Sequence, residues 1–159
     1  MSASTMPTDI EVSWTETKPT WQELVVEFQK RFVLPAADKF TVMSDVRAIT
    51  RLRLIREEAN EVRDALNDYI LYAKLGDLYK SASLLKELCD LIYVCLGTAV
   101  EMGVDLDVFF RAVHENNMAK VGGQVDEHGK LQKPAGWKKL DTLQLLLSLI
   151  EQPVLGKAP

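Results

Sequence analysis

The stretch from Leu84 to Leu96 constrains this chain more than any other. It reads Leu-Leu-Lys-Glu-Leu-Cys-Asp-Leu-Ile-Tyr-Val-Cys-Leu. As a helix it is apolar on most sides, and such a helix needs a central place in a packed domain. Glu87 and Asp90 interrupt it, and Asp90 is the only charged residue between Leu88 and Val100. A buried, unpaired carboxylate costs several kcal/mol or takes up a proton instead. Two acids three residues apart lie on one face of a helix, about 60° from each other. Upstream, Glu58 and Glu61 repeat the spacing, with Glu57 about 40° beyond Glu61. Two antiparallel helices, each with such a pair, bring four carboxylates around one point. A hard oxygen set of that density suits Mg²⁺ or Mn²⁺. The residues therefore point to a magnesium site between helices and to phosphate chemistry.

The rest of the chain punctuates itself as helices. Thr20-Trp21-Gln22-Glu23 is a capping box that opens a helix to about Phe32, with Leu24, Val25, Phe28 and Phe32 on one side and Pro35 as its stop. Ser44 or Asp45 caps a second helix over about 45–71, with an amphipathic stripe through Val46, Ile49, Leu52, Ile55, Ala59, Val62, Leu66 and Tyr69. Gly76 breaks it and Asp77 opens the central helix, 78–101. Gly103 and Asp105 separate that from a fourth, 106–119, closed by Gly122-Gly123. Residues 121–140 collect glycines and prolines into a folded loop, with a short hairpin around Glu127-His128-Gly129. Asp141 caps a last helix, Thr142–Gln152, which Pro153 stops and whose leucines cover too many sides for a free surface. The expected class is all-α, with an irregular C-terminal loop and a terminal helix. The expected organisation is an N-terminal arm over 1–19, extended or partly disordered with Trp14 as an anchor, a catalytic domain over 20–141, and a C-terminal helix and tail over 142–159.

Bulk properties exclude several functions. The chain has 159 residues, 47% of them hydrophobic, which fits one globular domain. A net charge of −4 and a pI of about 5.2 argue against a nucleic-acid surface. No apolar run reaches a membrane span and the N-terminus has no signal-peptide core, so the expected location is the cytoplasm. Cys89 and Cys95 lie about 240° apart on their helix and cannot pair within it. They read as small buried hydrophobes. His114 and His128 lack the Glu-x-x-His spacing of a di-iron bundle, and nothing matches a zinc cluster or a P-loop.

An ordered series of motifs then carries a resemblance. It runs through Glu27-Phe28-Gln29 with Phe32 and Pro35, Arg51-Leu52-Arg53-Leu54-Ile55-Arg56, Glu57-Glu58-Ala59-Asn60-Glu61, and Glu87-Leu88-Cys89-Asp90. It continues with Gly97-Thr98-Ala99, Gly103-Val104-Asp105, Val113-His114-Glu115-Asn116-Asn117-Met118-Ala119-Lys120, and Gly129-Lys130 with Lys133-Pro134. Over about residues 21–141 the chain resembles the MazG-like all-α NTP pyrophosphohydrolases, in particular the subgroup like phosphoribosyl-ATP pyrophosphohydrolase and the all-α dUTPases. The resemblance implies metal-dependent hydrolysis of a nucleoside triphosphate to the monophosphate and pyrophosphate, by attack of water at the α-phosphate. It implies that Glu58, Glu61, Glu87 and Asp90 hold Mg²⁺, with Mn²⁺ as a substitute and more than one ion per site. Glu57 would activate the water or hold a further metal. Asn117, Lys120 and Lys133 would contact the triphosphate.

Close relatives carry His after Phe in the first helix where this chain has Gln29, at a position facing the base pocket in the family. A Gln amide offers a donor and an acceptor side by side. It matches the keto–imino edge of uracil or guanine, or, flipped, cytosine or adenine; the expectation is a keto base, dUTP or (d)GTP. Trp14, Trp21 and Phe28 are candidates for stacking on a base or for the core. The resemblance also implies helical hairpins assembling into a four-helix-bundle-type oligomer, a homodimer or dimer of dimers. Two rival readings stand beside the enzyme: a non-catalytic metal- or nucleotide-binding bundle that acts as a sensor, and an interaction protein whose acids are solvated charge.

Overall fold

The computed structural model describes residues 18–72 and 76–151; the expected N-terminal arm with Trp14, and the Pro153 stop, lie outside them. The described residues form five helices and no strand: α1 Trp21–Arg31, α2 Asp45–Tyr72, α3 Leu78–Met102, α4 Leu106–Met118 and α5 Thr142–Glu151. The all-α expectation is correct. None of these helices is long and apolar enough to cross a membrane.

The caps are those the sequence announces. Glu23 N–H donates to the Thr20 hydroxyl, and the Glu23 carboxylate accepts from Thr20 N–H at 2.7 Å. Asp77 accepts from Tyr79 N–H and Asp105 from Asp107 N–H. Arg47 N–H reaches the Ser44 hydroxyl, and Gln144 N–H the Asp141 carboxylate. Two ends depart from expectation. α4 stops at Met118, capped at Ala119, one turn before Gly122. α1 closes with Leu34 N–H donating to the Gln29 carbonyl at 2.8 Å, and Val33 takes φ 55°. That left-handed turn ordinarily belongs to glycine, and a β-branched residue there is strained.

α3 is central, as expected: both α2 and α1 pack on it, α2 running antiparallel. The segment after α1 runs beside the C-terminal end of α3. Ala37 N–H donates to the Val100 carbonyl and Thr41 N–H to that of Met102. The approach is close enough that a Cβ on Gly103 would lie 2.1 Å from the Lys39 carbonyl oxygen. Gln22 ties the start of α1 to the α3–α4 turn, donating to the Val104 carbonyl and accepting from Leu106 N–H. The expected hairpin is present as a single antiparallel bridge, Val125 to Leu131. Asp126 holds its turn by accepting from the backbone of His128 and Lys130 and from the Gln132 amide.

Packing adds to one expectation and corrects another. Along the apolar stripe of α2, Val46, Ile49, Leu52, Leu66 and Tyr69 are exposed, while Ile55 and Val62 are half-buried. The α3-facing side carries Arg47, Arg51, Leu54, Glu58 and Ala65, buried or half-buried. Among the described residues only Val25, Ala99 and Val100 form a fully buried apolar core. Trp21 remains 68% exposed and Phe110 71%. Cys89, read as a buried hydrophobe, is exposed, because no element among the described residues covers that face of α3. It lines an apolar groove of about 190 Å³ with Trp21, Leu24, Ile92, Tyr93 and Leu96.

Candidate active site

The antiparallel α2–α3 pair places the acids as their spacing requires. Glu58 and Glu61 on α2 and Glu87 on α3 each offer an oxygen, and the three oxygens lie within 4.8 Å of one another. Glu58 is half-buried, and burial together with the charges of Glu61, Asp90 and Glu57 raises its pKa above the ordinary carboxylate range. Glu61 is raised as well, first by a hydrogen bond shared with the Glu87 carboxyl and then by desolvation. Asp90 completes the cluster on the α3 side, close enough to act on Glu58. Glu57 is exposed at its edge.

The premise that the α3 acids are unpaired needs correction. Lys86 Nζ sits 3.0 Å from Glu87 and 2.7 Å from Asp90, and both carboxylates raise its pKa. Lys86 is thus the resident counter-ion of the cluster. The sequence signal was available, since Lys86 precedes Asp90 by four residues, one helical turn. The all-oxygen, multiply anionic donor set fits a hard divalent cation, and a single ammonium at its edge leaves it short of positive charge.

The other residues singled out from sequence are spread more widely. Gln29 is 3% exposed; its amide nitrogen donates to the Pro35 carbonyl at 2.9 Å, and its Oε1 has no partner. Phe28 packs on Phe32 and edge-on to Tyr93, with ring centroids 4.7 and 5.6 Å away. Asn117 is exposed at the end of α4. Lys120 and Lys133 converge on one residue that the sequence did not single out. Their ammonium groups lie 5.8 and 4.6 Å from the centre of the Trp137 ring. The indole donates to the Asn116 carbonyl, and the Asn116 amide donates to the Lys138 carbonyl, so the C-terminal loop is tied to α4. An indole between lysines some 13 residues apart has no local sequence signature. His114 is exposed.

An all-α hairpin with facing carboxylate pairs defines a class, the MazG-like all-α NTP pyrophosphohydrolases. Within it, the model of the phosphoribosyl-ATP pyrophosphohydrolase family matches residues 25–117, from the second turn of α1 almost to the end of α4. The chain belongs to that family and is a pyrophosphohydrolase, a hydrolase of phosphoric anhydrides. All five acids fall inside the match, whereas Lys120, Lys133 and Trp137 lie beyond it. No curated protein matches the chain.

Proposed function

We propose that the chain is a cytoplasmic nucleoside triphosphate pyrophosphohydrolase that releases a nucleoside monophosphate and pyrophosphate by attack of water at the α-phosphate. The observation that carries this is the convergence of Glu58, Glu61 and Glu87 from two helices within 4.8 Å. In this reading Glu58, Glu61, Glu87 and Asp90 hold Mg²⁺, with Mn²⁺ able to replace it and more than one ion per site. A bound divalent cation supplies charge neutralisation of the triphosphate and a lower pKa for the attacking water. Glu57, at the rim, accepts the proton of that water. The carboxylates would hold the cations against which the triphosphate binds, and the pyrophosphate would leave toward Lys120 and Lys133. Asn117 supplies an amide for the phosphate oxygens. Trp137 holds the two lysines together.

For the base we retain dUTP or (d)GTP. One of the two amide N–H groups of Gln29 donates to Pro35, and Oε1 remains as an acceptor. That acceptor suits the imino N–H of uracil or guanine.

The exposed stripe of α2 and the uncovered groove beside Cys89 support a homo-oligomer, a dimer or dimer of dimers built from paired hairpins, with substrate contacted by more than one chain.

The test is incubation with each (d)NTP and phosphoribosyl-ATP in Mg²⁺ or Mn²⁺, with products separated by anion exchange. Monophosphate plus pyrophosphate from a narrow set of bases is expected. Diphosphate plus phosphate would reject α–β cleavage. Metal binding without turnover of any nucleotide would favour a sensor.

A further inference from the structure

The cross-contacts of α2 and α3 follow a single register. Arg47 meets Glu101, Arg51 meets Gly97, Glu58 acts on Asp90, Glu61 on Glu87, and Asp68 meets Lys80. In every pair the two residue numbers have the same sum, so the register is unbroken over about six turns. The carboxylate cluster depends on it. A slip of one turn displaces one helix by about 5.4 Å, more than the 4.8 Å within which the three carboxylate oxygens lie.

The acids cannot set this register themselves, because they repel. Asp68–Lys80 is a half-exposed pair, and such pairs contribute little. Arg51 is different. It is buried, and its Nε donates to the Thr98 hydroxyl at 3.0 Å and its Nη2 to the Val94 carbonyl. Its Nη1 lies 3.6 Å from Glu101, whose side chain is 2% exposed and is held by both Nε and Nη2 of Arg47. The fork enters a notch in α3 that exists because residue 97 is glycine: a Cβ there would lie 2.8 Å from Arg51 Nη2. Partners at 94, 98 and 101 lie along one face of α3. A slipped helix would leave a buried guanidinium unsatisfied, a costly state.

We propose that Arg51, seated in the Gly97 notch, is a positioning residue: it sets the α2–α3 register that brings Glu58 and Glu61 opposite Asp90 and Glu87, about two turns away. The proposal rests on reading those acids as a cation site.

The experiment titrates Mn²⁺, followed by the EPR signal of the free ion, into the full chain and its variants, far below their melting temperatures and with helix content checked by circular dichroism. Arg51→Met and Gly97→Ala are expected to weaken Mn²⁺ binding about tenfold or more, the scale of a lost outer support for metal ligands. Gly97→Ala/Arg51→Lys is expected to regain most of what Gly97→Ala loses, since lysine has no atom at the Nη2 position. Gln22→Ala, which loosens α1 from the α3–α4 turn, controls for instability and should bind Mn²⁺ as the parent does. Parental affinity in folded Arg51→Met or Gly97→Ala overturns the proposal. So does a double variant no better than Gly97→Ala alone, a comparison that carries the test if Arg51→Met does not fold. A parent that binds no Mn²⁺ overturns the cation-site reading instead.

Discussion

At the scale of the residue, the cluster is a set of charges held in readiness. Glu58 and Glu61 have raised pKa values in the folded chain, from burial and neighbouring acids in one case and from the bond with Glu87 in the other. A raised folded pKa contributes stability that is present below the unfolded value and lost as pH climbs through the folded one. The metal-free protein should therefore lose thermal stability as pH rises above the ordinary carboxylate range. Mg²⁺ or Mn²⁺ should restore it, by an amount that grows with pH; melting curves in EDTA and in excess metal, from pH 4 to 8, check both signs. Glu87→Gln should cut turnover by about 100-fold or more, the scale of lost metal-assisted stabilisation, while raising or leaving unchanged the metal-free melting temperature. A fall in that temperature would show that the acid serves packing. Lys86→Ala removes the competing ammonium and should tighten Mn²⁺ binding about two- to tenfold, as befits two exposed pairs. The acids were legible because carboxylates in an apolar run have few inexpensive explanations. Lys86 was passed over because it reads as one more helix-surface cation, although its spacing to Asp90 is that of a helical pair.

At the scale of the element, the N-caps were legible because they act within a few residues. Thr20 with Glu23, Asp77, Asp105 and Asp141 all do what their positions require. The inward face of α2 was not legible. Its apolar residues follow a helical period, yet the side against α3 is occupied by Arg47, Arg51 and Glu58, which satisfy one another or the backbone of α3. Polar burial of this kind depends on partners about fifty residues away, which periodicity cannot register. The same holds for Trp137, whose indole fastens the C-terminal loop to α4. Trp137→Ala should raise KM for the triphosphate several-fold and leave kcat nearly unchanged, because it loosens Lys120 and Lys133 without touching the acids. Steady-state kinetics at saturating Mg²⁺ decide this, and an equal loss in kcat would place the tryptophan in the chemical step.

At the scale of the whole molecule, a chain with three fully buried apolar residues among those described has not finished burying its surface. Domains of this length ordinarily remove about two thirds of their surface from water. Light scattering should give the mass of a dimer or tetramer, and a monomeric mass would reject the assembly. Leu52→Glu on the open stripe of α2 should shift that mass downward, a change readable without any assay of activity. The fold class was visible from the helices' own sequences, but an apolar stripe does not say what it packs against.

The strained turn at Val33 has a practical consequence. The side chain is 91% exposed, so Val33→Gly loses little burial. It relieves a left-handed penalty of about 1–2 kcal/mol against roughly 0.5–1 kcal/mol of added chain freedom. The net gain is worth about 1–3 °C in melting temperature for a chain of this size. Position 33 can therefore be tuned without touching any acid, lysine or aromatic of the candidate site. A glycine there is a neutral background in which fragile active-site variants can be carried through purification and compared on equal terms.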